Sequence, residues 1–152
     1  MSLSHFIFSG TTYEQGLAHG EILKKSIINN IEIYVNRFEN EAGISKNDLL
    51  ENSGIYLNIL REQSPEYVNG MNGISESSNL ELLEIAMLNL RYELLYHALG
   101  RKLQSDAVDG CTSFAILQEE VENNHLLMGQ NWDWIPDVEC VLTTSIDTDG
   151  IK

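Results

Sequence analysis

Cations are scarce in this chain. Nine Lys and Arg stand against 23 Asp and Glu, a formal charge of −14 over 152 residues. No basic face is available to neutralise phosphates, which excludes a nucleic-acid binder and a polybasic membrane-surface protein. Cysteine is scarce too. Cys111 and Cys140 cannot staple a disulfide scaffold, and they read as free thiols of a cytoplasmic protein. Proline occurs only at positions 65 and 136, so there is no Pro-rich linker. No uncharged apolar run reaches membrane-span length. The first eight residues lack the basic start and the apolar length of a signal peptide. His5, His19, His97 and His125 are scattered, without HExxH or CxxC spacing, so no metal site is expected. GxGxxG, GxxxxGK[ST] and GxSxG are all absent, which leaves no nucleotide loop and no serine elbow.

What is present is a foldable chain of one structural domain, with 43% apolar residues. Helical periodicity fills the stretch before residue 105, and strand-like texture follows. His5–Phe8 reads as a short strand. Thr11 and Glu14 have capping-box spacing and open a helix carrying Leu17, Ile27, Ile28, Ile31, Tyr34, Val35 and Phe38 mostly on one face. Gly43 breaks it. Ser45 with Asp48, then Ser64-Pro65, open two more helices. Asn79 is expected to cap a fourth, from Leu83 to Ala98, that ends at Gly100. After Asp109-Gly110, strands are expected over 112–117, 125–131 and 138–146. A polar hairpin loop lies at 119–124, and a turn at Asp147–Gly150. The fold class is α+β, helices followed by antiparallel strands. A sheet stopping at that turn leaves an exposed edge and an uncovered face, the mark of a chain once longer and an opening for a homo-oligomer.

Asp109-Gly110-Cys111-Thr112 stands out chemically. Glycine before a cysteine lets the preceding peptide adopt strained dihedrals and admits attack on its own carbonyl. By itself Cys111 reads more readily as a small buried apolar residue at a strand start, the usual place of a free cysteine. Gly129-Gln130-Asn131-Trp132-Asp133 shifts the balance. A hairpin of 112–117 with 125–131 returns Asp133, 22 positions after Cys111, beside the thiol. A carboxylate there can hold an amine or orient a thiol.

Together these two segments resemble the acyl-coenzyme A:6-aminopenicillanic acid acyltransferase family of cysteine-type N-terminal-nucleophile hydrolases. Gly16-Leu17-Ala18-His19-Gly20 and Leu88-Asn89-Leu90-Arg91-Tyr92-Glu93 resemble its two upstream motifs, in the family's order. The resemblance implies an αββα sandwich, of which this chain would hold a part. It also implies self-cleavage of the Gly110–Cys111 bond, separating a helical 1–110 segment from a catalytic chain that starts at Cys111 and runs here to 152. Cys111 is then the nucleophile, and Asp133 holds its α-amine or thiol. Asp109 and Gly110 serve processing, and Asn131 and Arg91 are supporting candidates. Gln130 has no charge role. The implied substrate is a small N-acyl amide or acyl thioester, with no cofactor.

For Arg91 and Glu93, two positions apart on a helix, a structural ion-pair network is the plainer reading. His19 reads as structural, between glycines where helices pack closely. Family members are far longer, and a later oxyanion asparagine and a later arginine have no counterpart in residues 1–152. Weak turnover or none is therefore expected of these residues alone. The alternative is a non-catalytic remnant serving as an interaction module.

Overall fold

The computed structural model describes residues 4–99, 111–122, 124–131, 135, 137–147 and 150–151. Their contacts divide the chain into two compact units, one of residues 1–101 with 139–152, the other of residues 102–138.

The first unit is built on one long helix. β1 (His5–Ser9) turns through Gly10, at φ 107°, into α1 (Thr12–Arg37). Thr11 caps it as expected: its hydroxyl accepts from the Glu14 N–H, and the Glu14 carboxylate accepts from the Thr11 N–H at 2.8 Å. Donation from the Thr11 N–H, which contributes most, and from the Thr11 hydroxyl holds the Glu14 carboxyl below its usual range. Gly16, Gly20, Leu23, Ile27, Ile31, Tyr34 and then Phe38 are buried at three- and four-residue steps, one continuous stripe. A π-helical stretch, Phe38–Ala42, ends at Gly43 in the left-handed region, φ 68°.

α2 (Lys46–Gln63) starts at Ser45, whose hydroxyl accepts from the Asp48 N–H. α3 (Pro65–Ser78) begins with its proline, as expected. The expected cap at Asn79 is corrected. Asn79 closes α3 in the left-handed conformation, φ 57°. The next helix, α4 (Leu82–Asn89), starts at Glu81, whose N–H is taken by the Glu84 carboxylate. Asparagine tolerates left-handed dihedrals, so it serves a helix end as well as a start. The expected single fourth helix is two. Leu90, at φ −96° and ψ 12°, separates α4 from α5 (Arg91–Leu99). Gly100 lies outside the described residues.

α1 and α3 meet backbone to backbone. A Cβ on Gly16 would stand 2.2 Å from the Gly70 carbonyl oxygen. One on Gly73 would stand 2.3 Å from Tyr13 O and 2.8 Å from Leu17 N. Tyr13 Oη donates to Glu76 across the same seam.

β4 (Leu142–Asp147) lies beside β1, and β5 (Gly150–Ile151) beside β4. The expectation of antiparallel strands holds for β4–β5 and is corrected for β1–β4, which run parallel with His5 opposite Leu142 and Ser9 opposite Ile146. A parallel pair needs a crossover, and the helices supply it. β4 also begins later than the expected Val138. Asn30 on α1 takes both main-chain groups of Glu139, at 3.0 and 2.8 Å, leaving that residue no ladder partner. Phe8 is buried against α1, while Ile7 and Leu142, on the opposite face, are 63% and 53% exposed.

The second unit contains β2 (Thr112–Ile116) and β3 (Leu127–Asn131), paired antiparallel. A 3₁₀ turn, Gln118–Glu120, leads into the expected polar loop and overlaps its first two residues.

Glycine spacing makes a direct stability forecast. Gly73→Ala lowers the urea-unfolding free energy by about 2 kcal/mol or more, because backbone atoms cannot yield to the added methyl. Gly54→Ala in α2 meets nothing nearer than Leu83 Cδ2 at 3.6 Å, and raises the unfolding free energy by roughly 0.5–1 kcal/mol through helix propensity.

Candidate active site

Cys111 stands immediately before β2, exposed and free. Strand register fixes what returns beside that end. Thr112 pairs with Asn131, Ser113 with Gln130 and Phe114 with Gly129. The chain therefore leaves β3 at the end of the hairpin where it entered β2. That is the arrangement expected from the sequence, and it brings Asn131 to the Cys111 end. Asp133, with Asp109 and Gly110, lies outside the described residues.

Gly129 has a structural role that sequence reasoning missed. A Cβ there would lie 2.5 Å from the Phe114 ring, so the ring covers the glycine of its cross-strand neighbour. The available signal was a lone glycine inside a strand pattern, which marks close approach of another group.

Arg91 belongs to the first unit. As the first residue of α5 its guanidinium is committed locally. Nε donates to Tyr34 Oη at 3.1 Å and Nη1 to the Leu88 carbonyl at 2.9 Å. The charge lies 5.5 Å from the Tyr34 ring centroid and 4.8 Å from that of Tyr92. Among the described residues no ion pair joins Arg91 to Glu93; the two recorded are Arg37–Glu41 and Lys46–Glu84. Aromatic faces and a carbonyl take the place of the expected ion-pair network. Cys140 is half-buried, and burial pushes its thiol pKa up against the opposing pull of Arg91. A thiol held protonated in this way is a weak nucleophile.

His19 packs as expected between its glycines. Its ring stacks on Phe8 with centroids 5.5 Å apart. It also lines a cavity of about 240 Å³ with Glu66, Tyr67 and Met71. Among the described residues no three His, Cys, Asp or Glu side chains gather as a metal site, and no helix is long and apolar enough to cross a membrane.

No family model matches the chain. The chain is 28% identical over 130 residues to the acyl-coenzyme A:6-aminopenicillanic-acid-acyltransferase 40 kDa form of Emericella nidulans. The match takes in 86% of this chain and 34% of that protein. The chain thus spans about a third of the length of this curated relative. This is at most a distant relationship, and it hints at acyl transfer or related hydrolysis.

Burial holds the His19 imidazole below the ordinary histidine range, so the unfolded chain takes up a proton that the folded chain refuses. This contribution to stability is full above the unfolded value of ~6.5. It is lost as pH falls from there towards the lowered folded value. Urea midpoints should drop between pH 7.5 and 5.5, and His19→Phe should remove most of that dependence.

Proposed function

We propose that the chain carries the processing junction and nucleophile of a self-cleaving, N-terminal-cysteine amidohydrolase or acyltransferase. The observation that carries this reading is the hairpin register. It supports an exposed Cys111 at the hairpin end to which the Gly129-Gln130-Asn131 segment returns. The distant acyltransferase similarity agrees with it.

The chemistry has two stages. In processing, Cys111 Sγ attacks the Gly110 carbonyl carbon. The C–N bond breaks, the former amide nitrogen takes the thiol proton, and a thioester remains. Water then hydrolyses the thioester, leaving a carboxylate at Gly110 and a free α-amine and thiol at Cys111. In turnover, that α-amine, with an ordinary pKa near ~8, takes the thiol proton as Sγ attacks an N-acyl amide or acyl thioester. The amine or thiol departs with a proton, and the acyl group passes to water or an amine. Nucleophile and base share one residue, so their proximity is built in. Asp133 holds the new ammonium group or orients the thiol, and Asn131 supports it. Arg91, fastened to Tyr34 and Leu88, acts as a packing residue.

One observation favours a second reading, a non-catalytic interaction module. Phe114, Leu127 and Met128 are 52%, 49% and 70% exposed, and alternation along the paired strands puts apolar groups on both hairpin faces.

Denatured intact mass decides between them. Wild type should give two pieces meeting at Gly110/Cys111, Cys111→Ala a single chain, and Cys140→Ala the same two pieces as wild type. A cut that survives Cys111→Ala rules out self-processing. An uncut wild type that self-associates favours the module.

A further inference from the structure

Residues 139–151 are separated in sequence from residues 4–99 by the whole second unit, yet the two segments form a single unit. Glu139 makes the first tie. Asn30 Nδ2 donates to the Glu139 carbonyl at 3.0 Å, and the Glu139 N–H donates to Asn30 Oδ1 at 2.8 Å. A single side-chain amide thus satisfies both main-chain groups of one residue, as a neighbouring strand would. Ser26 Oγ donates to Glu139 Oε2 at 2.5 Å, and Asn29 Nδ2 to Oε1 at 3.3 Å. Ser26, Asn29 and Asn30 fall at i, i+3 and i+4, one face of α1. That face reads both the backbone and the carboxylate of Glu139.

Further ties follow along the strand. The Leu142 N–H donates to Ser4 O at 2.9 Å, and β4 then pairs with β1 from Leu142 to Ile146. At its far end the Gly10 N–H donates to Ile146 O at 3.0 Å. Ser26, Asn29, Asn30 and the β1 backbone all lie before residue 102. In each of the bonds just described their partner lies after residue 138.

We propose that Glu139 and its amide cradle on α1 form a latch that holds residues 139–151 on residues 4–99 independently of the intervening chain. A backbone cut anywhere between residues 101 and 139 would then leave two chains bound as one body. The occupant is a defined segment of the same polypeptide, an extended strand headed by a glutamate. Its biological use rests on the self-processing reading; the latch itself does not, and the experiment keeps the two apart.

The test uses the full chain carrying Cys111→Ala, with a site-specific protease sequence inserted between Arg101 and Lys102. The added protease makes the cut, so failure of self-processing cannot affect the outcome. Native size-exclusion of the cut protein should give one peak containing both pieces, which separate in urea. Asn30→Ala should weaken their association about tenfold, or about 1.4 kcal/mol, because it removes both main-chain hydrogen bonds of Glu139. Ser26→Ala/Asn29→Ala, which spares the backbone pair, should also weaken it. If Asn30→Ala disturbs the circular dichroism of the uncut chain, this double variant alone carries the comparison. Pieces that part in native buffer without any latch substitution overturn the proposal. So does retention unchanged by the substitutions.

Discussion

Direct backbone contact between α1 and α3 is the constraint on which the first unit depends. Gly16, Gly20 and Gly73 leave no room for a Cβ at that seam. Each glycine inside a helix costs roughly 1 kcal/mol in propensity relative to alanine. That cost is offset only if close approach brings the rest of both helices into contact. The continuous row from Leu23 to Phe38 on α1, with Val68 and Met71 buried on α3, shows that it does. The same seam sets where His19 can lie, since it sits between two of the residues with no space to spare. Its stack on Phe8 then ties β1 to the helices.

Charge balance explains a second regularity. With nine cations for 23 carboxylates, most acids must be held without an ion pair. Hydroxyls and amides do that work: Thr11 holds Glu14, Ser45 holds Asp48, Tyr13 holds Glu76, and Ser26 with Asn29 holds Glu139. A hydrogen bond to a charged group is stronger than one between neutral groups, and an exposed ion pair contributes little because solvent screens it. Neutral donors are therefore an adequate substitute, and they tolerate a field that would repel further acids. Arg91 follows the same economy from the other side, its charge resting on two tyrosine rings.

Helix starts were legible in the sequence because capping is local. Thr11, Ser45 and Pro65 each act on groups within a turn. Asn79 misled for a physical reason, since the side chain that favours an N-cap also tolerates the left-handed C-cap. The interruption at Leu90 had no signal at all, because leucine is a strong helix former and neither Gly nor Pro marks the place. The parallel β1–β4 pair joins opposite ends of the chain, beyond any local pattern, and so does the amide cradle for Glu139. At the candidate site the hairpin was legible from two apolar runs around a polar loop. The commitment of Arg91 to Tyr34 was not, because the two lie on different helices.

Processing and turnover make unequal demands on such a site, and the structure bears on them differently. Turnover requires a pocket for a free substrate and donors aimed at a developing oxyanion, which together supply much of the barrier reduction. Self-cleavage requires neither pocket nor binding step, because Gly110 is already attached to Cys111 and intramolecular attack carries the advantage of high effective molarity. A two-stranded hairpin is only marginally stable in isolation, and β2–β3 carries exposed apolar groups on both faces. Covering those faces would add rigidity, which matters most for the positioning that turnover needs. Sensitivity of turnover to that covering should therefore exceed the sensitivity of cleavage. If Cys111 is the nucleophile proposed above, a chain able to cut itself yet unable to process substrate is the physical consequence of placing it on a hairpin with exposed apolar faces.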